Sequence, residues 1–375
     1  MQPVVFLTGA TGLVGSELLR RYLRAGDAHV YALIRAPSDA DLAGRFRNLL
    51  ASLGLSPAER LDRITPVRGD VTAPDLGLSP EVRAELCRRV THVVHCATDI
   101  HFGRPLAESR QVNLLGVVNL MDQVRRWRRV EAVAHVSTAH VAGRRVGRIL
   151  EEELVHQAGF VNTYEQTKYE AEVYLRGLMG DLPIAVYRSS SLIGDSRTGE
   201  VRQFNFLHQT LRLLASNLVP ALPGDPDGPV DLIPVDWLAD ALHYLVHRRF
   251  GPGMTYHLCA GTEGSLTLGE LVDVTVRCLH TSPYRRGSRE VRRPAIVDLE
   301  RFEALRREAE RAGRVREAQA LAALSHFIPH MALPKAFDTT HARRALEGSG
   351  IRLPSIADYY PRVVDYCLRT RWGRN

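Results

Sequence analysis

The segment "VVFLTGATGLVGSELL", residues 4–19, decides how the rest of the chain is read. Residues 4–8 are an apolar run of strand length, and residues 14–26 place apolar side chains at helical spacing. Across the junction, Gly9, Gly12 and Gly15 recur at every third position. Glycines at a strand-to-helix turn let the backbone bend sharply and approach a ligand closely. The open N–H groups of the helix's first turn then favour an anion such as a pyrophosphate. A GxxGxxG turn alone is weak, but between a first strand and a first amphipathic helix it points to a dinucleotide site.

Working outward, the pattern repeats. "HVYALIR" (29–35), "ITPVRGDV" (64–71), "THVVHCA" (91–97), "AVAHVST" (132–138) and "PIAVYRSS" (183–190) read as strands. Helices are expected over 113–127 and 163–178. Strands alternating with helices of this length imply an α/β fold, a doubly wound parallel sheet of the Rossmann type covered on both faces. After about residue 190 the pattern changes: 194–203 and 223–231 are loop-like, 235–247 is a helix and 254–261 a returning strand. Residues 298–324 read as one charged helix. The expected division is a nucleotide-binding domain, 1–190 with 235–262 returning to it. A smaller, mostly helical substrate-binding lobe takes 191–234 and 263–375.

The second strand ends on Arg35, where a site gripping a free ribose 2′-hydroxyl usually carries an acid. Arginine suits a 2′-phosphate, which favours NADPH, with Arg45 assisting. Asp70 reads either as an adenine neighbour or as a turn residue. At the carboxyl end of the 132–138 strand stand Ser137 and Thr138, where open α/β sheets place their ligands. Tyr164 and Lys168, four residues apart in "NTYEQTKYEAE" (162–172), share one helix face. A free tyrosine has a pKa of about 10. A neighbouring ammonium lowers it and makes the phenol a general acid toward a carbonyl oxygen. Asn162 and Glu165 have the spacing of a capping box that holds this first turn.

The chain has 375 residues and a formal charge of +7, which favours acidic partners such as nucleotides, coenzyme A phosphates or an acidic carrier protein. No nucleic-acid motif is found. The five cysteines are scattered, without a CxxC, so neither a zinc site nor a disulfide framework is expected, and a reducing cytoplasm fits. His95, His101 and His140 flank the site without ligand-like spacing, so no metal is expected. No signal peptide and no transmembrane segment is read. The arginine-rich segments 284–293 and 306–317 read as a solvated loop and a helix with charge pairs, with carrier docking as the competing reading.

"TGATGLVG", a hydroxyl residue before "VAG", and YxxxK, in that order over residues 1–262, resemble the extended short-chain dehydrogenase/reductases. "NTYEQTKYEAE", "SLIGDSRTGE", "LPGDPDGPVDLIPVDWLADAL" and "HCATDIHF" resemble the thioester reductases within that group. These are the terminal reductase domains of peptide synthetases and carboxylic acid reductases, together with fatty acyl reductases. The resemblance implies a triad of Thr138, Tyr164 and Lys168, with Asn113 positioning the lysine. It places Thr8, Gly9, Thr11, Gly12, Leu13, Val14, Gly15, Arg35, Arg45, Asp70, Val71, Ala97, Thr98, Asn113, Tyr164, Lys168, Ser190 and Ser191 at the NADPH. Ser137, His140, Arg188 and Phe204 fall on the substrate side. The implied reaction is reduction of an acyl thioester to an aldehyde, with possible further reduction to the alcohol. Any carrier protein is expected in trans. Ser189 departs from the family, many of whose extended members have proline there. The same triad also serves dehydrogenases and epimerases acting on ketones, sterol-like alcohols or nucleotide sugars. A covalent route through Cys96, and an NADPH-sensing module, are further alternatives.

Overall fold

Seven parallel strands form the central sheet: β1 Val4–Thr8, β2 His29–Ile34, β3 Ile64–Arg68, β4 His92–His95, β5 Ala132–Thr138, β6 Ile184–Ser189 and β7 Thr255–Leu258. The computed structural model describes residues 2–55, 61–285, 290–325 and 332–374. The strand order is β3-β2-β1-β4-β5-β6-β7, so the chain reverses direction across the sheet between β1 and β4. A crevice opens at such a switch point, beyond the carboxyl ends of the strands. Thr8 is in register with His95, and Thr138 with Ser189, which brings these strand ends to one edge.

Alternation along each strand builds two cores. Val5 and Leu7 face one side, against Leu18, Leu19 and Tyr22 of the helix Leu13–Ala25 and Leu238, Leu242 and Leu245 of the helix Val235–Arg248. Phe6 faces the other side, with Leu86, Leu120, Met121 and Leu175 from the helices Pro80–Arg89, Gly116–Val124 and Thr163–Arg176. Burial on both faces explains why these strands are apolar throughout. A separate core joins Ile193, Leu211, Leu222, Leu271, Phe302, Leu321 and Val363, all outside the sheet.

Two sequence expectations change. The segment read as one helix over 298–324 is two, Leu299–Arg311 and Val315–Ser325. Gly313, at φ +67°, breaks it in the left-handed region that ends helices. Ion pairs such as Arg306–Glu310 (2.6 Å) lie on the exposed face of the first, which matches the reading of a solvated, charge-paired helix. Of the basic segment 284–293, residues 286–289 lie outside the described residues. The helix expected over 113–127 starts earlier: Leu106–Arg110 is helical, Gln111–Leu115 is a π turn, and Gly116–Val124 continues it. Such wide turns are frequent at functional sites, and this one carries Asn113.

Where β4 begins, His92, His243 and His247 cluster around Tyr22. The His92 and His247 rings are 4.7 Å apart, His243 and His247 5.0 Å, and the Tyr22 hydroxyl is 2.9 Å from His247 Nε2. Burial lowers the pKa of all three histidines, that of His247 to about 3. A folded-state pKa below the unfolded value means stability is complete above about pH 6.5 and is lost as the pH falls through the folded-state values. Each histidine can cost up to about 1.4 kcal/mol per pH unit in that window. The denaturant midpoint is therefore expected to fall between about pH 7 and pH 5, before most carboxylates titrate. A midpoint flat across that interval would contradict the assignment.

Candidate active site

The glycine turn is built for close approach. Gly9 has φ +70°, and a Cβ there would lie 2.5 Å from the Ala97 nitrogen. A Cβ on Gly15 would lie 2.2 Å from the Gly9 oxygen, so the helix packs tightly on the turn. The Gly12 N–H donates to the Gly9 oxygen (2.9 Å), and the helix begins at Leu13. Beyond the turn lies a cleft of about 570 Å³, within the size range of ligand sites. Gly9, Thr11, Gly12, Leu13, Val14, Gly15, Arg35, Asp70, Val71, Ala97 and Thr98 all line it. These residues fit a dinucleotide, with bare backbone at the turn and a cation at the far end.

Arg35 is well exposed, with Nη1 4.0 Å from Asp70 Oδ2. Asp70 also serves the turn, where Oδ1 accepts from the Thr72 N–H at 2.9 Å. Two expected cofactor residues stand behind the cleft. Thr8 is fully buried, its hydroxyl 2.7 Å from His95 Nδ1 and accepting from the Ala97 N–H (3.3 Å). Arg45 does not reach the cleft. Its guanidinium turns back to donate to the Arg35 carbonyl (2.6 Å), so it braces the strand end instead.

Thr138 and Tyr164 both line the cleft wall. Thr138 Oγ1 donates to the Ser189 carbonyl (3.3 Å) and accepts from the His140 N–H (3.2 Å). The Tyr164 ring lies 5.7 Å from that of Phe102. Asn162 caps the Tyr164 helix as read, its side chain accepting from the Glu165 N–H (2.9 Å), but the Glu165 carboxylate accepts from the Val161 N–H (2.9 Å), one residue before the position a capping box uses.

The electrostatics differ from the sequence reading, in which Lys168 lowers the tyrosine's pKa. Desolvation dominates and pushes Tyr164 up to about 12, although the Thr138 hydroxyl pulls it down. Lys168 Nζ points at the sheet, donating to the Val136 carbonyl (2.9 Å) and lying 3.1 Å from His135 Nε2. Burial lowers Lys168 to about 8, against the pull of the Glu172 carboxylate. His135 is held well below its ordinary value by burial and by Lys168, so it is a neutral acceptor for the ammonium. His95, stacked on it at 5.3 Å, is lowered to about 3 for the same reasons.

Asn113 acts one residue from its expected target. From the π turn, its amide donates to Thr167 Oγ1 (2.9 Å), next to Lys168, and to the Asp99 carbonyl (3.0 Å). Its oxygen accepts from the Asp99 N–H (2.7 Å). It thus ties the segment after β4 to the helix that carries the lysine.

The substrate-side expectations fare unevenly. His140 lines the cleft, as do Ser190 and Ser191 of the cofactor set, with His140 Nε2 3.4 Å from Ser191 Oγ. Ser137 lies at its edge, but its hydroxyl is committed to Glu172 (2.5 Å). Arg188 is corrected outright. It is 1% exposed, paired with Glu172 at 2.7 Å, and donates to the Glu151 and Glu153 carbonyls, so it is structural. Phe204 packs against the separate core outside the sheet, with its ring 5.6 Å from that of His208, while the adjacent Gln203, Asn205 and Phe206 line the cleft. Glu172 and His135 were missed. Glu172 could have been found four residues after Lys168, on the same helix face.

A family model described as male sterility protein, of an NAD-binding type, matches residues 7–242. The chain belongs to that family. As a male sterility family member it carries a nicotinamide-dinucleotide-binding domain, in agreement with the turn and cleft. It is 28% identical over 271 residues to the non-canonical nonribosomal peptide synthetase hkm10 of Aspergillus hancockii, covering 69% of this chain and 26% of that one. It is 25% identical over 272 residues to the fatty acyl-CoA reductase wat of Drosophila melanogaster, covering 64% of this chain and 53% of that one. The chain therefore spans about a quarter to a half of the length of these relatives. Among solved structures, the terminal R domain from the myxalamid PKS-NRPS biosynthetic pathway superposes with a TM-score of 0.82 at 26% identity, over 99% of this chain and 92% of that one. The resemblance to the thioester reductase branch of the extended short-chain dehydrogenase/reductases is borne out. Among the described residues, no helix is long and apolar enough to cross a membrane.

Proposed function

We propose that this chain is an NADPH-dependent reductase that converts an acyl thioester to an aldehyde. The observation that carries the reading is the cleft itself, in which one wall is the glycine turn and another is the Thr138–Tyr164 hydroxyl pair. Likeness to peptide-synthetase reductase domains and to a fatty acyl-CoA reductase supports the substrate class. The thioester would be carried by the phosphopantetheine arm of a carrier protein supplied in trans, or by coenzyme A. Five free cysteines suit a reducing cytoplasm.

A reduced nicotinamide dinucleotide held by the glycine turn and Arg35 would supply hydride to the thioester carbonyl carbon. Tyr164, and Thr138 once its hydroxyl turns from the Ser189 carbonyl, donate hydrogen bonds to the carbonyl oxygen as negative charge gathers there. Tyr164, at about 12, is fully protonated at neutral pH and passes its proton to that oxygen. Lys168 keeps a positive charge beneath the same site up to about pH 8. The hemithioacetal then loses thiolate, which takes up a proton, and the aldehyde is released. A cysteine route is disfavoured because desolvation pushes the Cys96 thiol up to about 12, and a thiol is a poor nucleophile.

The test is nicotinamide oxidation against acyl-CoA and acyl-carrier thioesters, with the product identified. Aldehyde should form with one thiol released per cofactor oxidised. NADPH should be preferred to NADH by at least about tenfold, since Arg35 offers a cation where no acid competes. Arg35→Ser should erase most of that preference by raising the KM for NADPH. Turnover of a ketone or nucleotide sugar, with no thioester consumed, would overturn the reading.

A further inference from the structure

A second pocket, of about 110 Å³, opens beside the cleft inside the smaller lobe. His140, Ser191 and Phe206 line both spaces, so the pocket adjoins the cleft that Thr138 lines. Ile193, Leu211, Leu214, Leu222, Leu271 and Val272 supply its walls, and each is buried.

The polar groups at its margin are already engaged by the protein. The Thr275 and Tyr360 hydroxyls bond each other (2.8 Å), and Thr210 donates to the Phe206 carbonyl (3.0 Å). His208 is bonded through Nδ1 to Asn205 Oδ1 (2.8 Å) and through Nε2 to the Ile193 carbonyl (3.2 Å). The Asp231 carboxylate accepts from the Ala260 and Gly261 N–H groups, each at 2.8 Å. The Lys335 ammonium donates to the Leu333 carbonyl (3.4 Å), and the Glu165 charge opposes the lowering of its pKa by burial. A ligand entering this pocket meets hydrocarbon and satisfied polar groups, so a charged or hydroxylated group would be desolvated without compensation.

Volume sets the size of the occupant. An apolar cavity of roughly 150 Å³ stays dry and takes up a benzene ring. A somewhat smaller pocket takes a short aliphatic tail and leaves a long fatty chain no room. From this geometry we infer that the pocket binds the apolar tail of the acyl group and selects short, unfunctionalised acyl thioesters of about butyryl to hexanoyl size. The carbonyl would sit at Thr138 and Tyr164, and the tail would pass His140, Ser191 and Phe206. The inference rests on the thioester reading of the cleft.

The full chain is assayed with NADPH against acetyl-, butyryl-, hexanoyl-, octanoyl-, dodecanoyl- and palmitoyl-CoA. kcat/KM should rise about three- to fourfold per methylene up to hexanoyl, because each buried methylene adds that much binding. It should then fall at least about tenfold by dodecanoyl, where the walls would be overpacked. Leu214→Phe should shift the optimum to shorter chains and Leu214→Ala to longer ones. Opposite shifts at one position cannot come from misfolding. In parallel, the matching S-alkyl thioethers of coenzyme A, which cannot be reduced, are ranked by thermal shift. Turnover that is flat with chain length, or an optimum unmoved by both Leu214 variants, would overturn the tail pocket and leave thioester reduction standing. Thioethers that bind in the expected length order, with no thioester reduced, would support the pocket and remove the reaction assigned to the cleft.

Discussion

Tyr164→Phe is expected to lower turnover by about 10²–10⁴-fold while leaving NADPH affinity nearly unchanged. The substitution removes one oxygen and keeps the ring, so the packing against Phe102 survives. The proton donor and one of two hydrogen bonds to the developing oxyanion disappear. Thr138 remains, and its hydroxyl, turned from the Ser189 carbonyl toward the oxyanion, accounts for residual activity. NADPH titration by fluorescence and steady-state kinetics on the same preparation separate binding from chemistry. Turnover within a fewfold of the unmodified chain would remove Tyr164 from the mechanism.

The largest effect on stability is expected from Glu172→Ala, a loss of about 3–5 kcal/mol in urea denaturation. Glu172 is fully buried and Arg188 nearly so. The guanidinium meets the carboxylate through Nε and Nη2, and the Ser137 hydroxyl donates to the same group. Removing the carboxylate leaves the Arg188 charge buried behind the active site without its partner. Breaking a buried pair is far more costly than losing an exposed one such as Arg306–Glu310, worth about 0–1 kcal/mol. Glu172 also raises the proton affinity of Lys168, so in the variant that ammonium should deprotonate below about pH 8, and the alkaline limb of the activity profile should move to lower pH. A stability change under about 1 kcal/mol would show that the pair carries no such burden.

Much of the site was legible because its signals are local. The turn through Gly9, Gly12 and Gly15 reports backbone geometry that only glycine tolerates, and it lies within seven residues. Tyr164 and Lys168 share a helix face by spacing alone, and Asn162 caps that helix as its side chain predicts. Continuously apolar strands alternating with helices foretold the two-faced sheet, in which Val5 and Leu7 turn to one core and Phe6 to the other. The helix break at Gly313 was missed because strong charge pairing on both sides outweighs one glycine in a propensity reading.

Sequence alone determined the fold class, the glycine turn and the family, and it singled out Thr138 and Tyr164, which both line the cleft. Tertiary structure decided that Arg188 and Ser137 serve Glu172, that Lys168 faces His135, and that Asn113 works through Thr167. It also decided that a short apolar pocket adjoins the cleft. The reason is the range of the interaction. Turn and periodicity signals come from neighbours a few residues apart, whereas these partners are tens of residues apart, as with Asn113 and Thr167. Burial alone brings them together, and their hydrogen bonds and shifted proton affinities follow from that burial.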